Sequence, residues 1–252
     1  MRLFGCNYRS LARGALVTKG TLPADVRQRE IQRVHYDLHM AGAMGARAID
    51  LVIDVGANEG QFARSLRDQG YKGKIVSFEP IPEHAERLKV ESQGDPNWAV
   101  FAMALGSEDG MLTLNTVAGS TLSSGLEFST FGQELFPQGE ARFEPLQVPL
   151  LRLDRVISDH PEAFRGSNWF LKSDTQGFDL EVLKGIDLAA HHVAMVQCEL
   201  SVLSIYENAP SYVEILAYLK EQGFVPLGFW PLFYHGEDLR IVEMDCVMAR
   251  QP

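Results

Sequence analysis

Positive charge is in short supply in this chain. Its 23 Lys and Arg face 33 Asp and Glu, for a formal net charge of −10 across 252 residues. Affinity for a nucleic-acid backbone comes mostly from Lys and Arg against phosphates, so no nucleic-acid partner is expected. Cysteine is scarce as well. Cys6, Cys198 and Cys246 are odd in number, far apart and without metal-ligand spacing; they read as reduced thiols of a cytosolic protein, and no metal is expected, with a divalent cation beside Asp174 as the alternative left open. Long apolar runs are missing: no window approaches the roughly 18 to 20 residues of a membrane span. The first twenty residues, MRLFGCNYRSLARGALVTKG, hold no continuous apolar segment ahead of a small-residue cleavage site. The expected location is the cytoplasm, with no membrane partner.

What is present is the composition of a globular chain, 46% hydrophobic and 22% charged, long enough for one α/β domain with an extension. In ADVRQREIQRVHYDLHMAGAM, residues Ile31, Val34, Leu38 and Ala41 recur at helical spacing. They predict an amphipathic helix within an N-terminal extension, residues 1–47. From residue 48 to 252 short β-rich runs alternate with helical segments, as in a parallel sheet covered on both faces. Strands are predicted at AIDLVIDV, KIVSFE, WAVFAMAL, WFLKSD and VAMVQCEL, and helices over about residues 60–69, 82–91, 179–184 and 211–222. The inserted GMLTLNTVAGSTLSSGLEFST reads as a hairpin or loop. In PLQVPLLRLDRVI, Asp154 is placed to cap a short helix. The tail reads as two strands joined by an aromatic loop, an antiparallel ending normal for a methyltransferase sheet.

The segment Asp54-Val-Gly56-Ala57-Asn58-Glu-Gly60 closes the first of these strands and opens a helix. Gly56 permits a sharp turn and Gly60 a close approach of helix to sheet. Asn58 stands where a middle glycine would, and asparagine tolerates a left-handed backbone. Glu79, nineteen residues beyond Gly60 at the end of KIVSFE, can accept both hydroxyl protons of an adenosine ribose. A nicotinamide dinucleotide or S-adenosylmethionine fits these features. Asp54 favours the second, since a carboxylate beside the turn repels a pyrophosphate and attracts an ammonium and a sulfonium. The bland alternative is a tight strand-to-helix turn with no ligand.

DVGANEGQFA, VSFEPIPEHAERLK, LKSDTQGFDLEVLKG and VQCELS, in that order, resemble the FkbM-type S-adenosylmethionine-dependent methyltransferases, over roughly residues 49–246. The resemblance implies a Rossmann-like (class I) α/β fold: a mostly parallel seven-stranded sheet with an antiparallel C-terminal strand and helices on both faces. It further implies O-methylation of a sugar, glycan or other secondary metabolite, with S-adenosylhomocysteine as product. Asp54, Gly56, Ala57, Asn58, Gly60 and Glu79 would then hold the cofactor, with Ala104 and Leu105 near its adenine. Asp179 departs from the family, where Glu is commoner at that position.

Asp54, Glu79, Asp174 and Glu199 all fall at or near predicted strand ends, where ligands of open parallel sheets bind. Their mutual repulsion should raise the pKa of at least one. A hydroxyl acceptor needs a base. Asp174 is the first candidate and Glu199 the second, each with a capping or loop-holding role as the alternative. Lys172, on the same strand face as Asp174, is expected to pair with one of these acids or to orient the acceptor. His191, His192 and His235 are weaker candidates. GSTLSSG (119–125), GFWPLFYHG (228–236) with Trp230, Phe233 and Tyr234, and the loop carrying Tyr206 and Asn208 are candidate acceptor surfaces. The aromatic residues could instead meet the N-terminal helix or a second subunit of a homo-oligomer. Two other readings stay open. A nicotinamide-dependent oxidoreductase would lack both G-x-G-x-x-G spacing and a Tyr-x-x-x-Lys pair, and a methyltransferase-like module without chemistry would bind cofactor and turn nothing over. Base methylation is disfavoured by the missing Asn/Asp-Pro-Pro-Tyr motif.

Overall fold

The computed structural model describes residues 2–3, 6–11, 14–18, 24–117, 122–136, 143–236 and 239–251. The chain divides into two compact units, residues 1–48 and 49–252. In the first, β1 (Arg2–Leu3), β2 (Cys6–Leu11) and β3 (Gly14–Thr18) form an antiparallel sheet, followed by α1 (Ala24–Ala46). The sequence predicts this helix; the small sheet it does not. No described helix is long and apolar enough to cross a membrane.

The second unit is built on seven strands: β4 (Leu51–Val55), β5 (Lys74–Phe78), β6 (Trp98–Phe101), β10 (Trp169–Ser173), β11 (Val193–Ser201), β12 (Phe224–His235) and β13 (Arg240–Arg250), in the spatial order β12-β13-β11-β10-β4-β5-β6. β4, β5, β6, β10 and β11 are parallel, and β13 runs antiparallel to both β11 and β12. The order reverses between β4 and β10, the switch point at which such sheets bind ligands.

Strand alternation gives the sheet two different faces. Ile53, Val55, Val76, Leu171, Val196 and Cys198 build the apolar face, packed in one core with residues of α5 (Leu153–Asp159), α6 (Asp179–Lys184) and α7 (Tyr212–Glu221). The opposite face carries a register row of polar residues, Ser77, Asp54, Lys172 and Gln197. It lies on the side of α2 (Gln61–Asp68), whose Phe62 ring is under Lys172 Nζ at 5.3 Å. The close approach expected at Gly60 is visible: a Cβ there would come within 2.7 Å of Leu88 in α3 (Pro82–Ser92) and 3.3 Å of Trp98.

Four details differ from expectation. WAVFAMAL splits, because β6 is an edge strand with no further neighbour; Ala104–Leu105 (β7) leaves it to pair with Leu150 and Leu151. The inserted stretch pairs locally where Asn115 bridges Ser124, but its main partner is distant: β8 (Gly110–Val117) pairs antiparallel with β9 (Phe143–Leu151), with α4 (Thr130–Leu135) in between. Asp154 lies inside the first turn of α5, so it does not cap that helix; its Oδ1 accepts from the Asp187 amide at 3.0 Å. The aromatic GFWPLFYHG is strand, not loop: β12 keeps pairing through Pro226 and Pro231 by shifting register beside each, which an edge strand allows.

Candidate active site

At the carboxyl ends of β4, β5, β10 and β11 lies a cavity of about 380 Å³, a size usual for small-molecule sites. Its floor is the β4–α2 turn, where Gly56, Asn58 and Gly60 all have positive φ (74°, 49° and 83°). The amides of Gly56 and Ala57 both donate to the Phe78 carbonyl at 3.0 Å. On its other side the turn abuts β10 so closely that a Cβ on Gly56 would collide with the Asp174 carbonyl. Glycine is therefore required twice over, by conformation and by space.

Glu79 braces this turn. Its Oε2 accepts the Asn58 amide and its Oε1 the Ile81 amide, each at 2.8 Å. Burial pushes its pKa up to about 7 against the pull of those two amides. Each oxygen keeps a lone pair, so the carboxylate can still accept hydroxyl protons. Around it the wall is largely apolar: Ile81, Met103, Ala104, Leu105, Leu112 and Phe178.

Asp54 is not on the cavity wall. It is fully buried in β4, and its Oδ1 sits 3.1 Å from Lys172 Nζ. Burial raises its pKa while Lys172 opposes the rise. Lys172 does reach the cavity, and its Nζ is 3.5 Å from Asp174 Oδ2. Burial works against its charge, yet Asp54 and Asp174 together hold the ammonium above its ordinary pKa. The expected attraction between Asp54 and a cationic ligand is thus spent inside the protein, because a buried carboxylate takes the nearest cation.

Asp174 and Glu199 both line the cavity. Their exposures differ: the Asp174 side chain is 46% open, whereas Glu199 is 8% exposed. Glu199 stands directly across from Asp245 on β13. Its pKa is raised, by burial first and then by Asp174 and Glu243. Glu243, hydrogen bonded to Glu199, is raised by burial, and burial pushes Asp245 up to about 7. Two carboxyls so placed resist ionising together.

Several residues gather at the cavity without having been predicted there. Gln176 lines it and donates from Nε2 to Glu199 Oε2 at 2.8 Å and to Asp174 Oδ1 at 3.3 Å. Its position before Gly177 in a strand-end turn was the available signal. His84 of α3 and Thr175 also line the wall, as do Ser123 and Gly125 of the predicted acceptor loop, whose residues 119–121 lie outside the described residues.

Other candidates are elsewhere. None of His191, His192, His235, Trp230, Phe233, Tyr234, Tyr206 or Asn208 lines the cavity. His191 pairs with Asp154 at 3.1 Å and stacks on Trp169, at the far end of the sheet. Tyr206 is buried and reaches the site indirectly, through Gln176. Phe229, Leu232 and Tyr234 are exposed on edge strand β12. Among the described residues no group of three or more His, Cys, Asp or Glu is arranged to hold a metal ion.

A parallel sheet ending in one antiparallel strand, with a glycine turn and an acid at the next strand end, defines a class I S-adenosylmethionine-dependent methyltransferase. Residues 54–226 match the Methyltransferase FkbM domain, and the chain belongs to that family. S-adenosylmethionine is accordingly its methyl donor, and the nicotinamide reading falls away. The chain is 27% identical over 192 residues to the methyltransferase sdnD of Sordaria araneosa, covering 69% of this chain and 73% of that protein. Among solved structures it is similar to magnesium protoporphyrin IX methyltransferase from Synechocystis PCC 6803 (8% identity, 93% of this chain and 87% of that one, TM-score 0.46). It is also similar to the methyltransferase domain of bacterial CtHen1 (10% identity, 88% and 100%, TM-score 0.45).

Proposed function

We propose that the chain methylates a hydroxyl oxygen of a sugar, glycan or other secondary metabolite, with Asp174 as general base. The observation that carries this reading is the openness of one carboxylate. Of the acids lining the cavity, Glu79 and Glu199 are 4% and 8% exposed, while the Asp174 side chain is 46% exposed. A base must touch the acceptor and pass its proton on to solvent, which a closed carboxyl does poorly.

When bound, S-adenosylmethionine supplies a methyl group whose carbon–sulfur bond breaks as the oxygen–carbon bond forms, leaving S-adenosylhomocysteine. Gly56, Ala57, Asn58 and Gly60 shape its seat, and Glu79 takes the ribose hydroxyls. Ala104, Leu105 and Ile81 offer apolar contact to the adenine. Asp54 acts at one remove, fixing Lys172, which in turn anchors Asp174. Asp174 receives the acceptor's hydroxyl proton, and the cavity orients the freed oxygen toward the methyl carbon.

Charge supports a neutral acceptor. Among the described lining residues Lys172 is the one lysine or arginine, and it is committed to Asp54 and Asp174. An anionic acceptor would meet Asp174 and Glu199 with no counter-charge. Free, buried Cys198 and Cys246 suit a cytoplasmic setting.

The test is turnover of labelled donor with hydroxylated acceptors. Asp174→Asn should lower kcat by roughly 10²- to 10⁴-fold with donor affinity retained. Undiminished turnover removes Asp174 as base, and donor binding without turnover on any acceptor marks a binding module instead.

A further inference from the structure

Gln176 adopts a conformation that a glutamine side chain does not favour. Its φ is +52°, followed by Gly177 at +89°, so two consecutive residues turn through left-handed space just past β10. Such backbone persists where the surroundings impose it, and it concentrates at functional sites. Here the turn aims the side chain inward. The amide's two N–H groups meet two carboxyls, Glu199 Oε2 at 2.8 Å and Asp174 Oδ1 at 3.3 Å. Its carbonyl oxygen faces the Tyr206 hydroxyl at 2.9 Å. That hydroxyl is itself 3.1 Å from the Leu122 carbonyl. With Oε1 toward a phenol and Nε2 toward two carboxyls, donor and acceptor matching settles the orientation of the amide.

The backbone of the same residue holds the predicted acceptor loop. The Ser124 hydroxyl donates to the Gln176 carbonyl at 2.7 Å and accepts from the Leu126 amide at 3.1 Å. Ser124 is buried, and Ser123 and Gly125 beside it line the cavity. One residue thus ties the loop that borders the cavity to the acids at the ends of β10 and β11.

We propose that Gln176 is a positioning residue that aims Asp174 at the acceptor hydroxyl and couples that aim to the seating of the 122–126 loop. The proposal rests on the assignment of Asp174 as base. The amide also separates Asp174 from Glu199, and Asp179 of α6, Glu243 and Asp245 of β13, Lys172 of β10 and Tyr206 surround the pair. A neutral double donor there serves both acids at every pH, which no titrating side chain can do.

The experiment compares Gln176→Met, Gln176→Glu and Asp174→Asn in the full chain. Gln176→Met keeps the length and removes the hydrogen bonds; kcat should fall on the order of 10- to 100-fold, with acceptor KM and calorimetric donor affinity little changed. Gln176→Glu can donate when protonated and repels both acids when ionised. Its activity should therefore fall as pH rises, where the parent's does not. A readout independent of turnover is the infrared carboxyl band of the ligand-free protein: losing the amide should displace the titration midpoint of Glu199. Loss of activity in Asp174→Asn with an unaltered kcat in Gln176→Met overturns the positioning role alone, as does an unmoved carboxyl midpoint. Full activity in Asp174→Asn overturns the assignment of the base, and the positioning role with it.

Discussion

Lys172 Nζ and Asp54 Oδ1 lie 3.1 Å apart beneath the cavity, with the side chains 8% and 0% exposed. Breaking one half of such a pair leaves an uncompensated buried charge, which typically costs about 3–5 kcal/mol, while replacing both partners by apolar residues costs far less. Lys172→Met should thus lower unfolding stability by about 3 kcal/mol. Adding Asp54→Val should recover most of that loss in urea titrations. Equal stability of the single and double variants would mean that the pair is not a unit.

With Glu79 taking the ribose hydroxyls as proposed, donor binding should be coupled to pH. Burial pushes the Glu79 pKa up to about 7, so a substantial fraction is protonated just below neutrality and each such carboxyl has lost an acceptor. Affinity for S-adenosylmethionine, read by calorimetry, should increase as pH rises through 7. Glu79→Gln should weaken binding roughly 10- to 100-fold and flatten the pH dependence. A pH-independent affinity in the parent protein would separate Glu79 from the ligand.

The same burial makes the ligand-free protein unusual in its pH response. Burial raises Glu79 and Asp245 to about 7, Asp179 to about 6, and Glu243 in the same direction. Unfolded, these carboxyls lose their protons near pH 4. Between those limits the folded state binds more protons, so its stability is fullest at the acid end and falls as pH rises through the folded values. Thermal scans should give a higher Tm near about pH 5.5 than near about pH 8. A Tm that climbs over this window would contradict the burial of these groups.

Gly56→Ala should abolish measurable donor binding. Its Cβ would collide with the Asp174 carbonyl, and φ is +74°. Relief requires moving the end of β10, and with it Asp174. Retained secondary structure by circular dichroism with no binding heat is the expected pair of results; ordinary binding would show that the turn can open.

Much of this arrangement was legible in residue order alone. Strands β4, β5, β10 and β11 announced themselves by apolar runs, and Gly56, Asn58 and Glu79 by spacing, since those features depend on local chemistry. Lys172 was expected to pair with an acid, and it does. Less was legible where long-range pairing decides. β8 finds its partner β9 across more than twenty residues, and no local pattern records that. Pro226 and Pro231 suggested a loop, but an edge strand with register shifts accommodates both. Asp54 was expected to face a ligand; strand alternation sets its face, and Lys172 on the neighbouring strand takes its charge. Gln176 escaped notice because its one signal, a place before Gly177 in a strand-end turn, does not say which side chains it meets; its meaning appears once Glu199, Asp174 and Tyr206 converge on it.

The claim that the acceptor atom is a hydroxyl oxygen is tested most directly by locating the transferred methyl group. The protein would be incubated with methyl-¹³C S-adenosylmethionine and an extract of the source organism, and the labelled product would be analysed by carbon–proton NMR. A methoxy resonance that disappears with Asp174→Asn is the predicted result. Label on nitrogen or carbon would contradict it, and a methoxy signal undiminished in the variant would keep the oxygen acceptor but remove Asp174 as its base.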